Sequence, residues 1–420
     1  MIQQQTKQAP FSSFGLRRDL VRAVDDLGFT RPTPIQADAI PPAMEGRDVL
    51  ACAMTGSGKT AAFLLPILHR LQGKPRGATR ALILCPTREL AAQIQEHLIQ
   101  LARHTPVRSA AVYGGVAMGP QQKAFRHGVD IIIATPGRLL DHFQYPYARL
   151  RDLEYLVLDE ADRMLDMGFL PDIRRVLRHL PNRPRQTMCF SATMPQPIIE
   201  LTEDMLREPA TINLEHRQAP ATGVTQALYP VPQHLKVGLL VELLKRGEIG
   251  SVIVFCRTKH RADRLADKMK KQGIQAGRIH GNRSQNQRTD ALTGFKSGRF
   301  QVLVATDIVA RGIDVEALDH VVNFDVPHVP EDYIHRVGRT ARAELTGDAL
   351  TLVSPEEEKL VRAIEGTLGK RIERRKVQGF DYAQKPSERL EIPVAERLAA
   401  VRARRAQDRA RAKAKAGHRR

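Results

Sequence analysis

Short apolar runs alternate with longer stretches of helical pattern along most of this chain, and this alternation restricts the possible folds more than any other feature. Between residues 48 and 193 the runs include ALILCP, DIIIATP, YLVLDE and QTMCFSAT. Strands that alternate with helices form βαβ units with a parallel sheet, and strands that are apolar throughout are covered by helices on both faces. The sequence therefore predicts an α/β fold of the doubly wound type, with functional loops at the carboxyl ends of the strands.

The same pattern occurs a second time. It is interrupted at residues 213–225, NLEHRQAPATGVT, where neither strand nor helix periodicity is present, and resumes with SVIVFCRT, FQVLVATD, HVVNFDVP and GDALTLVS. A length of 420 residues also suits two domains of roughly 100–200 residues each. We predict a first domain at residues 1–213, a linker at 214–225, a second domain at 226–380 and a basic tail at 381–420.

The chain is strongly basic, with a formal net charge of +19 and a pI of about 10.1. This charge favours a polyanionic partner over a small neutral substrate, although it does not separate a nucleic acid from a membrane surface. Residues 401–420 contain seven arginines, two lysines and one aspartate. They predict a disordered or weakly helical arm that contacts phosphates, or else a solvating tail without a specific partner.

Cysteine usage and the lack of long apolar segments indicate the compartment. Cys52, Cys85, Cys189 and Cys256 lie in separate apolar runs without a CxxC pair, which predicts buried, reduced thiols and a reducing environment. The first residues do not have the pattern of a signal peptide, and no run approaches the ~18 apolar residues of a membrane span. We therefore expect a soluble, cytoplasmic protein that does not act at a membrane.

A glycine-rich segment, AMTGSGKT at residues 53–60, lies between a predicted strand and a predicted helix, which is the setting of a phosphate-binding loop. The backbone N–H groups of such a loop surround phosphate oxygens at the positive end of the helix. Lys59 would neutralise the β- and γ-phosphates, and the Thr60 hydroxyl would bind Mg²⁺. Ala53 stands where such loops usually have glycine, and a small residue still fits there. The other predicted loop positions are Thr55, Gly56, Ser57 and Gly58.

A pair of adjacent carboxylates ends the strand YLVL, in the tetrapeptide Asp159-Glu160-Ala161-Asp162. Phosphoryl transfer to water needs one group that holds the metal and a neighbouring group that orients the nucleophile. Asp159 is the predicted Mg²⁺ ligand and Glu160 the predicted partner of the attacking water. An acidic pair after a strand is more often only a helix cap, and it is the upstream phosphate loop that favours the catalytic reading.

These motifs, followed in order from Phe11 to Arg342, resemble the DEAD-box family of ATP-dependent RNA helicases. The segment PEDYIHRVGRTARAELTGDAL and the short basic extension resemble the RhlE-like bacterial branch of that family. The resemblance implies two tandem RecA-like domains, ATP and Mg²⁺ as cofactors and RNA as the partner. It also implies RNA-stimulated ATP hydrolysis and the local unwinding or remodelling of RNA duplexes and ribonucleoproteins.

The resemblance assigns further residues to the nucleotide site. It implies a Q motif in which Gln36 reads adenine and an upstream aromatic, Phe11, belongs to the base site. It implies that Ser191 and Thr193 bond the acidic motif and couple the ATP and RNA sites. In the second domain it implies two arginine fingers, a ribose contact and a residue that links the finger motif to the acidic motif, which are Arg339, Arg342, Asp314 and His335. The family usually has glycine where this chain has Ala341; we expect the alanine to be tolerated, with a slightly altered finger geometry or rate as the alternative.

The resemblance also implies an RNA groove built from both domains, with contacts to phosphates and without base reading. The first-domain positions are Pro86, Thr87, Arg88, Gly115, Thr135, Pro136, Gly137 and Arg138. The second-domain positions are Arg257, Gly281, Gln285, Arg288, Thr306 and Asp307.

Two other functions remain open from the residues alone. The chain could be a non-catalytic RNA clamp or scaffold gated by nucleotide, or a DNA helicase on related domains. Intact Lys59, Glu160, Arg339 and Arg342 argue against the first, and the acidic tetrapeptide and Q motif argue against the second. Ribosomal precursors and the RNA decay machinery are both compatible partners, and oligomeric state has no signature here.

Overall fold

A computed structural model of the protein describes residues 10–53, 56–213, 224–307, 318–340 and 347–384. Several predictions fall outside these described residues: those for Thr55, Asp314, Ala341 and Arg342, most of the linker, and all but the first residues of the tail.

The first domain is built on a sheet of seven parallel strands in the order β3-β4-β2-β5-β6-β1-β7. The strands are β1 (Val49–Cys52), β2 (Ala81–Leu84), β3 (Ser109–Val112), β4 (Ile131–Ala134), β5 (Tyr155–Asp159), β6 (Gln186–Ser191) and β7 (Ala210–Asn213).

The second domain has a sheet of the same kind. Its strands are β8 (Val224–Pro230), β9 (Val252–Phe255), β10 (Ala276–Ile279), β11 (Val302–Ala305), β12 (His320–Asn323), β13 (Gly347–Val353) and β14 (Glu373–Arg374). They are parallel, in the order β10-β11-β9-β12-β13-β8-β14. When each sheet is counted from its own first strand, the two orders are identical, so the chain contains one topology twice. The predicted α/β class and the two tandem domains are confirmed.

Helices cover the sheets. Those of the first domain are α1 (Arg18–Asp26), α2 (Pro34–Met44), α3 (Lys59–Leu71), α4 (Arg88–Leu101), α5 (Met118–His127), α6 (Pro136–Phe143), α7 (Ala161–Asp166), α8 (Leu170–His179) and α9 (Gln196–Met205). Those of the second domain are α10 (Lys236–Lys245), α11 (Lys259–Lys271), α12 (Gln285–Lys296), α13 (Pro330–Val337) and α14 (Glu358–Leu368). Short 3-10 helices lie at Phe11–Phe14, Pro146–Ala148, Gln233–Leu235 and Pro355–Glu357.

The strands are apolar throughout because each sheet has a core on both faces. In β2, Ala81 and Ile83 pack into one core while Leu82 and Leu84 pack into the other. Alternate side chains of a strand point to opposite faces, so a sheet covered twice needs apolar residues at every position. The four cysteines are buried thiols that form no disulfide bond within the described residues.

Two predicted boundaries need correction. Val224 and Thr225 belong to β8, where they pair with Gly347 and Asp348 of β13, so a strand begins inside the predicted linker. Main-chain pairing does not depend on side-chain polarity, and the polar composition concealed this strand. At the other end Tyr382 packs, together with Phe380, on the second core, so the domain extends past residue 380. Within the described residues, no helix has both the length and the apolarity to cross a bilayer.

Candidate functional site

Motifs of the first domain collect at the carboxyl edge of its sheet. The glycine-rich loop follows β1, Thr87 follows β2, Gly114 and Gly115 follow β3, and Thr135 follows β4. Asp159 and Ser191 are the last residues of β5 and β6. Because all seven strands are parallel, segments far apart in sequence meet at this one edge.

The phosphate-binding loop needs glycine at a defined position. Gly58 has φ +94° and precedes α3 directly. A Cβ atom there would lie 2.5 Å from Nε2 of Gln36 and 2.8 Å from Oγ1 of Thr33, closer than such contacts allow. Glycine is therefore required at position 58 for two reasons: its backbone is left-handed, and the side chains of Thr33 and Gln36 lie too close for a Cβ atom.

Gln36 connects the Q segment to this loop. Its side chain is 5% exposed. Oε1 accepts a hydrogen bond from the backbone N–H of Thr33 (2.9 Å), the residue before α2. Nε2 donates to the carbonyl oxygen of Gly58 (3.1 Å). The amide is thus held against the nucleotide loop.

The ammonium group of Lys59 lies inside the loop. Lys59 is 5% exposed, and its Nζ donates to the carbonyl oxygen of Ala53 (3.0 Å). It is the first residue of α3, so a positive charge stands at the positive end of a helix dipole. An anion would satisfy both, which is the electrostatic arrangement expected of a phosphate site.

A cavity of 530 Å³ extends from this loop, lined by Phe29, Gln36, Lys59, Thr60, Asp159 and Glu160, among others. The aromatic ring at the cavity is that of Phe29, which is 41% exposed. Phe11 is only 3% exposed and packs beneath Phe29, with ring centroids 6.5 Å apart. The structure therefore corrects the expectation for Phe11: it belongs to the core and supports the ring that lines the cavity.

Asp159 is a buried carboxylate with one oxygen that accepts no hydrogen bond from the described residues. It is 2% exposed, and its Oδ1 has no hydrogen-bond partner among the described residues. Burial raises the pKa of Asp159 to about 6, although the nearby charge of Lys59 opposes this shift. Such a carboxylate suits a cation, whose charge would offset the cost of burying the ionised group.

Glu160 is held in an unusual backbone conformation. Its φ is +54° and ψ is 52°, the left-handed region that non-glycine residues rarely adopt, as found at functional sites. Its Oε2 accepts a hydrogen bond from Nη1 of Arg163 (2.7 Å), and both side chains are buried. Burial alone would raise the pKa of Glu160, but the charges of Arg163, Lys59 and Arg339 outweigh it and lower the pKa.

Sequence reasoning missed Arg163. Its spacing from Glu160, three residues along a helix start, was the available signal, because residues at this spacing lie on one helix face. The pair keeps the Glu160 carboxylate ionised.

Asp162 connects the acidic segment to the strand-end hydroxyls. Its Oδ2 accepts hydrogen bonds from the backbone N–H (2.9 Å) and the hydroxyl (3.0 Å) of Thr193. The hydroxyl of Ser191 accepts from the backbone N–H of Asp162 (3.0 Å). Both hydroxyls implied by the resemblance therefore lie against the acidic motif.

Two second-domain side chains lie across the cleft from these carboxylates. The charge of Arg339, which is 4% exposed, contributes to lowering the pKa of Glu160. Burial acts to raise the pKa of Asp162, but the charges of Lys59, His335 and Arg163 and the hydrogen bond with Ser191 outweigh it and lower the pKa. His335 on α13 and Arg339 shortly after it, both in the second domain, therefore act electrostatically on the acidic segment of the first domain.

A second cavity, of 290 Å³, forms a groove beside the first, and both domains line it. Its walls include Pro86, Thr87, Arg88, Thr135, Gly137, Arg138, Gly281 and Arg288. Thr87 caps α4, accepting from the backbone N–H of Leu90 (3.2 Å). Gly115 has φ +81°, and a Cβ atom on it would lie 1.9 Å from Nη1 of Arg88.

Arg288 crosses the groove between domains. Its Nη1 lies 3.0 Å from Oε1 of Glu89, with side chains 9% and 5% exposed, and its Nη2 donates to the carbonyl oxygen of Gly281 (3.2 Å). Sequence reasoning singled out Arg288 but gave no role to Glu89. No sequence spacing links the two residues, because they belong to different domains.

Other groove predictions have partners within the second domain. Nη2 of Arg257 contacts Oε1 of Glu357 (3.0 Å). Both oxygens of Asp307 accept from the guanidinium of Arg336 (2.6 and 2.8 Å). Pro136 begins α6, Gln285 begins α12, and Thr306 follows β11 and is buried.

Two domains of one topology, with a nucleotide-type cavity in the first domain and a basic groove lined by both, have the organisation of a helicase core. Residues 33–201 match the DEAD/DEAH box helicase family, and residues 235–344 match the helicase conserved C-terminal domain. The chain is 40% identical over 382 residues to the DEAD-box ATP-dependent RNA helicase CshA of Bacillus subtilis, covering 91% of this chain and 77% of that protein. This chain belongs to the DEAD-box family of ATP-dependent RNA helicases.

Solved structures of related helicases are similar to this chain over most of its length. Saccharomyces cerevisiae Dbp5 bound to RNA and ADP BeF3 has a TM-score of 0.79 at 31% identity, covering 88% of this chain and 95% of that one. A Dbp5 variant bound to Nup159, Gle1, IP6 and ADP has 0.62 at 29% identity, covering 87% and 96%. The predicted family and RecA-like domains are confirmed, and the RhlE-like branch stays a prediction.

Proposed function

We propose that this RNA helicase closes its two domains on ATP and one RNA strand together, and that closure separates the strand locally from its partner. The observation that supports this most directly is that both sites contain groups from both domains. Arg339 acts on Glu160 in the nucleotide site, and Arg288 pairs with Glu89 in the groove. A ligand that touches both domains favours the closed state, and by linkage each ligand strengthens the binding of the other.

Adenine would bind between Gln36 and Phe29. Each end of the Gln36 amide makes one hydrogen bond to the protein. An amide has a second N–H and a second lone pair, so it can still pair with N6 and N7 of adenine. Phe29 would stack on the base, in place of the buried Phe11. This arrangement favours ATP over GTP.

The donor set fits Mg²⁺, which takes hard oxygen ligands. The hydroxyl of Thr60 and the carboxylate of Asp159 line the same cavity, and the unpartnered, buried Oδ1 of Asp159 supports a cation there. When bound, the ion neutralises charge on the phosphates and thereby assists phosphoryl transfer. Without it, the cavity contains a buried carboxylate whose pKa is raised.

Glu160 would orient the attacking water and accept its proton, since its carboxylate stays ionised at neutral pH. Arg339, together with Arg342, would stabilise negative charge on the transferring phosphoryl group. Because these arginines belong to the second domain, hydrolysis would require closure. Asp162 is hydrogen-bonded to Thr193 and Ser191. Through these bonds, a change at the nucleotide site would shift the loop that follows β6, and this would couple ATP binding to RNA binding.

The groove would bind RNA through phosphates. Arg88 and Arg138 supply charge, and Gly115 leaves room for the guanidinium of Arg88. Phosphate contacts position a strand without reading its bases, so binding would not depend on sequence. Preference for RNA requires contacts to 2′-hydroxyl groups, and family membership supports that preference.

Steady-state ATP hydrolysis tests the proposal, measured without nucleic acid, with single-stranded RNA and with matched DNA, for the wild type and Glu160→Gln. We expect stimulation by RNA that the substitution removes. Equal stimulation by DNA would favour the DNA helicase, and RNA binding without turnover would favour the nucleotide-gated clamp. Strand separation would then be followed on a short RNA duplex with ATP.

The cellular role is proposed at a coarser level. A helicase core that does not read sequence would remodel structured RNA in ribosomal precursors or in the decay machinery, and the basic residues 401–420 would add affinity for phosphates. Four free, buried thiols and an RNA substrate support a cytoplasmic location.

A further inference from the structure

The loop between β3 and α5, residues 113–117, forms part of the RNA groove and is held at several points. Gly114 lines the groove, and Gly115 packs against Arg88 with φ +81°. Nη1 of Arg138 donates to the carbonyl oxygen of Val116 (3.1 Å). Backbone N–H groups in such a loop can bind a phosphate only if the loop keeps its shape.

Gln121 connects the two ends of this loop. It lies on α5 and is 6% exposed. Its Nε2 donates to the carbonyl oxygen of Tyr113 (3.1 Å) at the start of the loop and to that of Ala117 (3.3 Å) at its end. One amide nitrogen therefore satisfies two carbonyl groups that flank the glycines.

His142 contacts the oxygen end of the Gln121 amide. His142 lies on α6, is completely buried, and places Nε2 3.3 Å from Oε1 of Gln121. Its Nδ1 lies 3.0 Å from the hydroxyl of Tyr147. Since Oε1 can only accept, Nε2 must carry the hydrogen, and Nδ1 then accepts from Tyr147. A reversed amide would lose this bond and direct an oxygen at two carbonyl oxygens.

We propose that Gln121 is a positioning residue for the glycine loop of the RNA groove, and that His142 acts through it by fixing its amide. The pair would set RNA affinity without touching RNA. α6 also carries Arg138 near its start, so one helix both contributes a groove arginine and orients the loop beside it. The proposal rests on the RNA-binding role of the groove.

The chemistry of the site indicates which substitutions are informative. Glutamate at position 121 has nearly the shape of glutamine but no N–H, so Gln121→Glu removes both donors to the loop. Phenylalanine at position 142 fills the space without a donor, whereas a glutamine there can place an N–H near the position of Nε2. Gln122→Glu is the matched control, because it makes the same change one residue along α5 at a half-exposed side chain.

The experiment measures the RNA concentration that half-saturates ATPase stimulation, the KM for ATP and the melting temperature of the full-length protein. We expect Gln121→Glu and His142→Phe to raise the RNA concentration on the order of tenfold, equivalent to about 1.4 kcal/mol. The KM for ATP should stay unchanged. His142→Gln should recover most of the RNA affinity, and Gln122→Glu should resemble the wild type.

The outcomes distinguish the proposed helicase function from the positioning role of Gln121. A wild type that RNA does not stimulate would overturn the proposed function itself. A stimulated wild type whose RNA half-saturation is unchanged in a folded Gln121→Glu variant would overturn only the positioning role, as would a parallel rise in the KM for ATP. If Gln121→Glu does not fold, the pair His142→Phe and His142→Gln decides, and failure of the glutamine to restore affinity rejects the proposal.

Discussion

Arg288 of the second domain and Glu89 of the first form an ion pair of 3.0 Å inside the groove, with both side chains nearly buried. Glu89 is the second residue of α4, directly after the predicted RNA-contacting Thr87 and Arg88. Arg88 is also affected by the pair: burial and the charge of Arg288 lower the pKa of Arg88. This ion pair therefore joins the two domains at the groove for which RNA binding is proposed.

Arg288→Ala should weaken closure, because removing one member of a buried pair leaves the other charge unpaired, at a cost of about 3–5 kcal/mol when burial is complete. We expect the RNA concentration for half-maximal ATPase stimulation to rise more than tenfold. Arg299→Ala is the control: Arg299 pairs with Asp290, both are more than half exposed, and such pairs contribute roughly 0–1 kcal/mol. Equal effects of the two substitutions would contradict the closing role.

Phe29 and Phe11 should separate ATP binding from stability. Phe29→Ala removes an exposed ring from the cavity, so the KM for ATP should rise on the order of tenfold, with little change in melting temperature. Phe11→Ala removes a core ring and should lower the free energy of unfolding by about 3–5 kcal/mol. Thermal melting measures the stability of both variants, and ATP titration measures their affinity for ATP. A Phe29→Ala variant with normal ATP affinity would contradict the proposed stacking of Phe29 on the base.

Arg163→Gln should shift the pH dependence of hydrolysis. Although burial acts in the opposite direction, Arg163 is the largest of the charges that lower the pKa of Glu160, so its removal raises that pKa. On acidification, activity that requires ionised Glu160 would then be lost at a higher pH than in the wild type. The lowered pKa of Glu160 also contributes stability that is present above the unfolded pKa and lost as pH falls, and in the variant this loss would occur at a higher pH.

The rate at saturating RNA and ATP, followed against pH, measures this shift for Arg163→Gln. Arg174→Gln, at an exposed position of α8, serves as the control and should leave the profile unchanged. An acidic limb that stays in place for Arg163→Gln would show that Arg163 does not govern the ionisation of Glu160.

Asp159→Asn should stabilise the metal-free protein while it abolishes hydrolysis. Burial raises the pKa of Asp159 from 3.8 to about 6, so the folded state binds this proton more tightly than the unfolded state does. The resulting stability is present at low pH and is lost as pH rises from about 4 to 6. At pH 7 without Mg²⁺, the variant should therefore melt at a higher temperature than the wild type.

Addition of Mg²⁺ with ADP should raise the melting temperature of the wild type more than that of Asp159→Asn, because the carboxylate is the proposed ligand. Equal shifts would remove Asp159 from the metal site.

Local pattern was sufficient for much of this protein. Apolar runs with helical stretches between them predicted parallel sheets, because a strand covered on both faces must be apolar throughout. The loop before α3 and the acidic residues at the end of β5 could be located because glycine and carboxylate chemistry is expressed within a few neighbouring residues. Where main-chain pairing dominated, as at Val224 and Thr225, composition misled the prediction.

The sequence by itself determined the fold class, the repeated domain, the phosphate loop and the acidic motif, since each depends on residues close together in the chain. Only the tertiary structure decided that Phe29 rather than Phe11 faces the cavity, that Arg163 pairs with Glu160, that Arg288 meets Glu89 across the domains, and that His142 contacts the amide oxygen of Gln121. The physical reason is that burial and pairing depend on distance in space, and parallel strands bring together segments that are far apart along the chain.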